Sequence, residues 1–268
     1  MLNPNGAENA LREGDPQTAL KLLTEQIRAR PQDAKLRVFL FQLLCVLGQW
    51  DRALNQLTVA GELDASTLVM VQTYREAIQC ERVRQQVFLG QKAPLLFGEP
   101  EPWVALLIEG LLRDGRGDKD AARKLRDEAY EQAPSSSGAI NGEAFDWLAD
   151  ADMRIGPVVE AVINGRYYWV PMNRLSNVDI DPPVDLRDTV WMAAHFQFSN
   201  GGEAVGLIPT RYCGTDLADA RLALARGTEW LEADIGFFVG VGQRTWTTNA
   251  GDHALMDVRS VVFDASKA

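Results

Sequence analysis

A helical repeat stack followed by a mainly antiparallel, small barrel-like β domain is the multi-domain α and β fold that this 268-residue sequence predicts. Three observations carry the prediction. Small and apolar residues recur at a fixed spacing in the first half, the hydrophobic period changes near residue 142, and an Asn-Gly pair joins two β-prone runs in the second half. The boundaries expected are 1–136 for the helical domain, 137–142 for a linker and 143–268 for the β-rich domain.

The repeats come first. Gly14, Ala19, Leu23 and Pro31 set a spacing that Gly48, Ala53, Leu57 and Ala60 follow, with Ala65 where the proline would fall. A third copy holds Gly117, Ala122, Ala129 and Pro134, and Gly110 takes the small-residue position of the helix before it. Small residues let two antiparallel helices approach closely, and a proline ends the second of them. The spacing resembles the tetratricopeptide repeat, except that Arg126 stands where a large apolar residue belongs. Between the second and third copies, Leu68, Val71, Tyr74, Ile78 and Val83 predict one more helix over 66–90, with Ser66 as its N-cap. The apolar stripes of this half are expected to form inter-helix core.

The turn-rich segment APSSSGAING (133–142) marks the domain boundary. After it, PVVEAVINGRYYWVP reads as a two-residue hairpin turning at Asn164-Gly165. That turn pairs Ile163 with Arg166, Val162 with Tyr167, Ala161 with Tyr168 and Glu160 with Trp169. One face then carries Val159, Ala161, Ile163, Tyr168 and Val170 and reads as core. The other carries Val158, Glu160, Val162, Tyr167 and Trp169, suited either to packing within the protein or to a partner. A second hairpin turns at Asn200-Gly201-Gly202, a helix runs from Thr215 as N-cap to Gly227 as stop, and further strands follow around Gly240, Gly242 and Asn249-Ala250-Gly251.

Charge narrows the partners. The net charge is −10, and residues 143–268 hold 18 acids against 10 bases, with Lys267 the one lysine after Lys124. An acidic half repels phosphate, so neither nucleic acid nor membrane insertion is expected. The opening MLNPNGAENA has no basic region before an apolar core, and the longest apolar run, Val38 to Gly48, is broken by Gln42, so a cytoplasmic protein is expected. Cys45, Cys80 and Cys213 are widely spaced and read as reduced, partly buried thiols.

Catalytic equipment is sparse. Asp146, Asp150 and Asp152 form the densest acidic group, but Arg154 and Ile155 occupy positions that a calcium loop gives to a ligand and a glycine. Asp152 with Arg154 reads more simply as a local ion pair. GVGQRT (240–245) lacks a third glycine and runs into β-prone residues, so its glycines serve a strand bend and not a dinucleotide. His195 and His253 have no carboxylate or cysteine at metal-ligand spacing, and His195 is expected to be a hydrogen-bonded strand residue. Neither enzymatic activity nor a cofactor is expected.

The blocks VFLGQKAPLLFGEPEPW, FDWLADADMRIGPVVEAVINGRYYWVP, PVDLRDTVWM, NGGEAVGLIPTRY, GTEWL and GVGQR together resemble the ImpE family, also called TagJ or SciE-type virulence proteins, from about Leu20 to Val262. The resemblance implies a non-enzymatic cytoplasmic adaptor of a bacterial type VI secretion system. It would bind an N-terminal helix of the small contractile-sheath subunit and link the sheath to the AAA+ ATPase that recycles it. No catalytic residue carries over. Glu160, Tyr167, Trp169, Asp152, Arg211 and Tyr212 are the residues expected to contact a partner. The competing readings are a metal-dependent hydrolase built on Asp146, Asp150 and Asp152 with Arg211, and a chaperone of a secreted effector.

Overall fold

The computed structural model describes residues 5–264; Lys267 and the first four residues of the opening segment lie outside them. The helical half runs α1 (Gly6–Arg12), α2 (Pro16–Ala29), α3 (Ala34–Val46), α4 (Trp50–Leu63), α5 (Leu68–Phe88), α6 (Pro102–Gly115) and α7 (Lys119–Gln132), with a short strand β1 (Leu95–Leu96) before α6. α1 packs with α2, α3 with α4 and α6 with α7 as antiparallel pairs. Ala19, Leu23, Ala53, Leu57, Ala122 and Ala129, the repeat positions, are all fully buried. Aspartates start several of these helices. Asp15 accepts from Thr18 N at 2.9 Å, Asp33 from Lys35 N at 3.1 Å and Asp118 from Ala121 N at 3.4 Å. Ser66 is not the cap of α5: it lies in a 3-10 turn (Ala65–Thr67), and Asp64 accepts its N–H at 2.9 Å. Arg126, anomalous in sequence, is buried with its guanidinium 3.7 Å above the Phe237 ring and 3.2 Å from the Asp114 carboxylate. Cation–π contact lets a charged side chain fill the apolar site.

The second half supplies β2 (Gly138–Ile140), β3 (Glu143–Phe145), β4 (Leu148–Asp150), β5 (Val158–Ile163), β6 (Arg166–Pro171), β7 (Leu175–Ile180), β8 (Trp191–Phe198), β9 (Glu203–Pro209), a four-residue helix α8 (Ala220–Ala223), β10 (Thr228–Asp234), β11 (Phe237–Gly242), β12 (Thr245–Thr248), β13 (Asp252–Ala254) and β14 (Ser260–Phe263). Nine strands form one sheet in the order β1-β6-β5-β9-β8-β7-β14-β2-β3, flanked by the pair β10-β11 and the trio β13-β12-β4. The sheet is open, not barrel-like. Its end strands are two and three residues long and do not pair with each other, so nothing closes it.

Two further expectations change. Residues 137–142 contain β2, which pairs with β14 on one side and β3 on the other, so the expected linker is built into the sheet. Its turn is a second Asn-Gly pair, Asn141 (φ 50°) and Gly142 (φ 85°). The helix expected from Thr215 to Gly227 shrinks to α8, capped by Asp219. The Thr215 hydroxyl instead donates to Tyr212 O and accepts from Gly242 N, fixing this stretch as a loop.

Strand alternation sends successive side chains to opposite faces, and in the central strands both sets are apolar. Val159, Ala161, Ile163, Val170, Met192 and Ile208 belong to a core within the β half. Val158, Val162, Tyr167, Trp169, Trp191 and Leu207 belong to the same core as Leu23, Phe41, Leu57 and Ile78 of the helices. The Asn164-Gly165 hairpin has the expected register at every pair. Its second face therefore packs against the helical half.

Candidate functional site

Buried charge is concentrated where the two halves meet. Glu160, on the helix-facing side of β5, is fully buried and accepts from Arg84 Nε at 2.6 Å, from Arg84 Nη2 at 3.2 Å and from the Tyr167 hydroxyl at 2.5 Å. Its other oxygen also receives a guanidinium N–H of Arg244. Arg84 comes from α5 and Arg244 from the turn between β11 and β12, so one carboxylate ties the helices to two separate parts of the β half. Arg84 goes on to the Arg211 carbonyl at 2.8 Å and to Glu81 at 3.3 Å, and Glu81 accepts from the Trp191 indole at 3.0 Å. Trp169 donates to the Tyr167 hydroxyl at 2.8 Å.

Asp150, at the end of β4, pairs with Arg244, which also donates to Pro209 O at 2.9 Å. Asp152 is held by Arg154, as the sequence spacing predicts, and by Gly240 N at 3.0 Å. A side chain at Gly240 would run into the Tyr212 ring, so glycine there serves close packing. Arg211 reaches across to the carbonyls of Val46 (2.7 Å), Cys45 (3.2 Å) and Ala223 (2.6 Å). Val46 ends α3, so a cation sits on the carbonyls of its last turn, at the negative end of its dipole.

The protonation states follow from these partners. Burial works against ionised Glu160, but Arg84 and Arg244 win and hold it down to about 2. Burial pushes Asp150 up to about 6 against the pull of Arg244, with Asp152 and Glu160 adding to the rise. Burial lowers Arg211 to about 10, which leaves it charged near neutrality.

Glu160, Tyr167, Trp169, Asp152, Arg211 and Tyr212 are thus brought together, but inside the molecule: all six are buried. Glu160, Tyr167, Trp169 and Arg211 join the halves, while Asp152 and Tyr212 are bonded within the β half. Asp146 is exposed, bonded to Asn249, and takes no part in the cluster of Asp150 and Asp152. Those two carboxylates are aimed at arginines, and among the described residues no group of three or more His, Cys, Asp or Glu is placed to hold a metal ion. The cleft nearest this network, lined by Trp50, Glu81, Arg84 and Cys213, has a volume of about 60 Å³, enough for one or two waters. His195 stands on β8 between buried Ala194 and Phe196, so its ring faces out, 4.0 Å from Asp181 and more than half exposed.

One open concavity that could take a peptide was not singled out from sequence. A groove of about 720 Å³ runs between α1, the 35–42 stretch of α3 and the 184–186 segment. Leu11, Leu36, Phe39, Val184 and Leu186 line it, with Glu8, Arg12, Lys35 and Asp185 among its charged residues. Val184 is 83% exposed. Its sequence signal is the Pro182-Pro183 pair, which places Val184 in a stretch outside any helix or strand.

A family model described as ImpE protein matches residues 142–262, and one described as Tetratricopeptide repeat matches residues 10–69. The type VI secretion system accessory component TagJ of Pseudomonas aeruginosa is 48% identical over 263 residues, covering 98% of this chain and 92% of that protein. The chain belongs to the ImpE family. A crystal structure of protein VPA1032 from Vibrio parahaemolyticus superposes with a TM-score of 0.87 at 27% identity, covering 96% of this chain and 97% of that one. The ImpE match begins at the β2–β3 turn and takes in Asp150, Asp152, Glu160, Arg211 and Arg244, while Arg84 comes from the helical half outside it. In this ImpE member the ionic network therefore spans the edge of the matched region.

Proposed function

We propose that this protein is a non-catalytic, cytoplasmic accessory component of a type VI secretion system, an adaptor that captures the N-terminal helix of the small contractile-sheath subunit and links the sheath to its AAA+ recycling ATPase. The Pseudomonas aeruginosa relative, a type VI secretion system accessory component, and the tetratricopeptide match support an accessory, protein-binding role. The groove along α3 is the observation that carries helix capture. An apolar floor with charged margins fits an amphipathic helix laid into it. The stretch of α3 from Lys35 to Gln42 gives a wall about 12 Å long, room for about two turns of a bound helix.

The test is co-elution. Purified sheath small subunit should travel with this protein on size exclusion, and the subunit lacking its N-terminal helix should not. Val184→Glu, at an exposed groove position, should weaken the complex at least tenfold with the fold intact. Equal binding of full-length and helix-deleted subunit would refute the proposal.

A further inference from the structure

The hairpin β10–β11 stands outside the nine-stranded sheet, and β10 has β11 as its single strand partner among the described residues. Its outer edge is contacted at one end, where Lys119 Nζ donates to Ala233 O at 3.1 Å and Arg123 pairs with Asp234. The rest of the strand, Glu229 to Glu232, is exposed, with Trp230 at 40% and Leu231 at 50%. Edge strands elsewhere are shielded by proline, lysine or a covering loop. This edge has neither residue type and instead carries a short sequence of defined polarity: Glu229-Trp230-Leu231-Glu232, acid–apolar–apolar–acid.

We infer that the outer edge of β10 is a docking site for an extended segment of another protein that reads basic–apolar–apolar–basic. An added strand takes its affinity from main-chain hydrogen bonds and its specificity from side chains directly opposite. Those pairs favour opposite charges and apolar partners, and disfavour like charges. Glu232 accepts from Gly236 N at 3.0 Å and has no cationic partner among the described residues, so it is open to an incoming arginine or lysine. Glu229 is shared with Arg221. The same rule disfavours a second copy of this chain in the two registers that set both apolar residues against each other. Antiparallel self-pairing that sets Trp230 against Leu231 places Glu229 opposite Glu232, and in-register parallel pairing sets each glutamate against itself.

Selection from a displayed library of random heptapeptides on the intact protein tests this, with counter-selection on the Trp230→Ser/Leu231→Asp double variant. Enriched peptides should carry two apolar residues flanked by Lys or Arg. They should bind Glu232→Lys at least tenfold more weakly and slow amide exchange along β10. All three side chains are exposed, so unchanged circular dichroism and Tm should confirm that the variants fold. Failure to enrich any peptide, enrichment of another pattern, or indifference to Glu232→Lys would overturn the inference, as would concentration-dependent dimerisation abolished by the double variant. The groove along α3 is a different surface, so helix capture is judged separately by the sheath co-elution.

Discussion

Glu160 is the residue on which most depends, because two guanidinium groups from different parts of the chain end on one buried carboxylate. Replacing it with glutamine leaves Arg84 and Arg244 without that counter-charge in a dry interior. Breaking a buried pair from one side costs about 3–5 kcal/mol. The cost depends on pH with a definite sign. Glu160 is held at about 2 in the fold, against 4.5 for a free glutamate, so its stabilisation is complete above pH 4.5 and disappears as pH falls through about 2. Glu160→Gln should therefore unfold at much lower urea than wild type at pH 7, with the gap narrowing toward pH 2. A gap of constant width would show that the charge is not what matters. Asp150 works in the opposite sense: raised to about 6 from 3.8, it favours the fold below pH 3.8 and loses that contribution as pH rises through 6. Sequence reading reached the Asp152–Arg154 pair because the partners are two residues apart. It could not reach Arg84 with Glu160, 76 residues away, since no local spacing encodes which buried charges will meet.

Among the helices, the ends of α5 and α6 meet with little slack. Gly90 has φ +65°, and a side chain there would lie 2.7 Å from Gly115 Cα. A Cβ on Gly115 would come within 2.3 Å of Leu89 O. Backbone cannot yield as a flexible side chain can, so Gly115→Ala should lower Tm by several degrees despite its better helix propensity. A Tm at or above wild type would show that the helices can part. Helix pairs and hairpins were legible from sequence wherever a single local rule governs them: small residues at the crossings, Asn-Gly at the β5–β6 turn. The β2–β3 turn obeys the same Asn-Gly rule but was masked by the neighbouring Ser135-Ser136-Ser137, whose composition suggests a linker. The Thr215 segment failed for a different reason. Its helical pattern is overridden by the hydroxyl's bonds to Tyr212, a local turn, and to Gly242, a tertiary contact.

For the molecule as a whole, the shared core decides how it behaves. Trp169 and Trp191 of the sheet sit in one apolar cluster with Phe41, Leu57 and Ile78 of the helices, and Arg211 closes the end of α3 from the β half. Residues 1–136 expressed alone should expose that cluster, bind a hydrophobic dye and melt without a cooperative transition, while the full chain should unfold in one step. A sharp independent melt of 1–136 would establish the helical half as a self-sufficient domain. The period change near residue 142 correctly divides the sequence into two kinds of structure. It says nothing about whether the two can exist apart.

Strand β14 lies between β7 and β2, with its partners on either side made 80 or more residues earlier. A ribosome delivers this chain helices first, and at that stage α5 carries Arg84 with no carboxylate from β5 yet in place. Even when β5 through β9 have emerged, β2 and β3 have no place in the sheet, because the strand that joins them to β7 has not been translated. The sheet is finished by the last of its described strands, so from Ile180 to Ser260 the nascent protein keeps an open seam, a stretch of synthesis in which chaperones would have access that the finished sheet denies them.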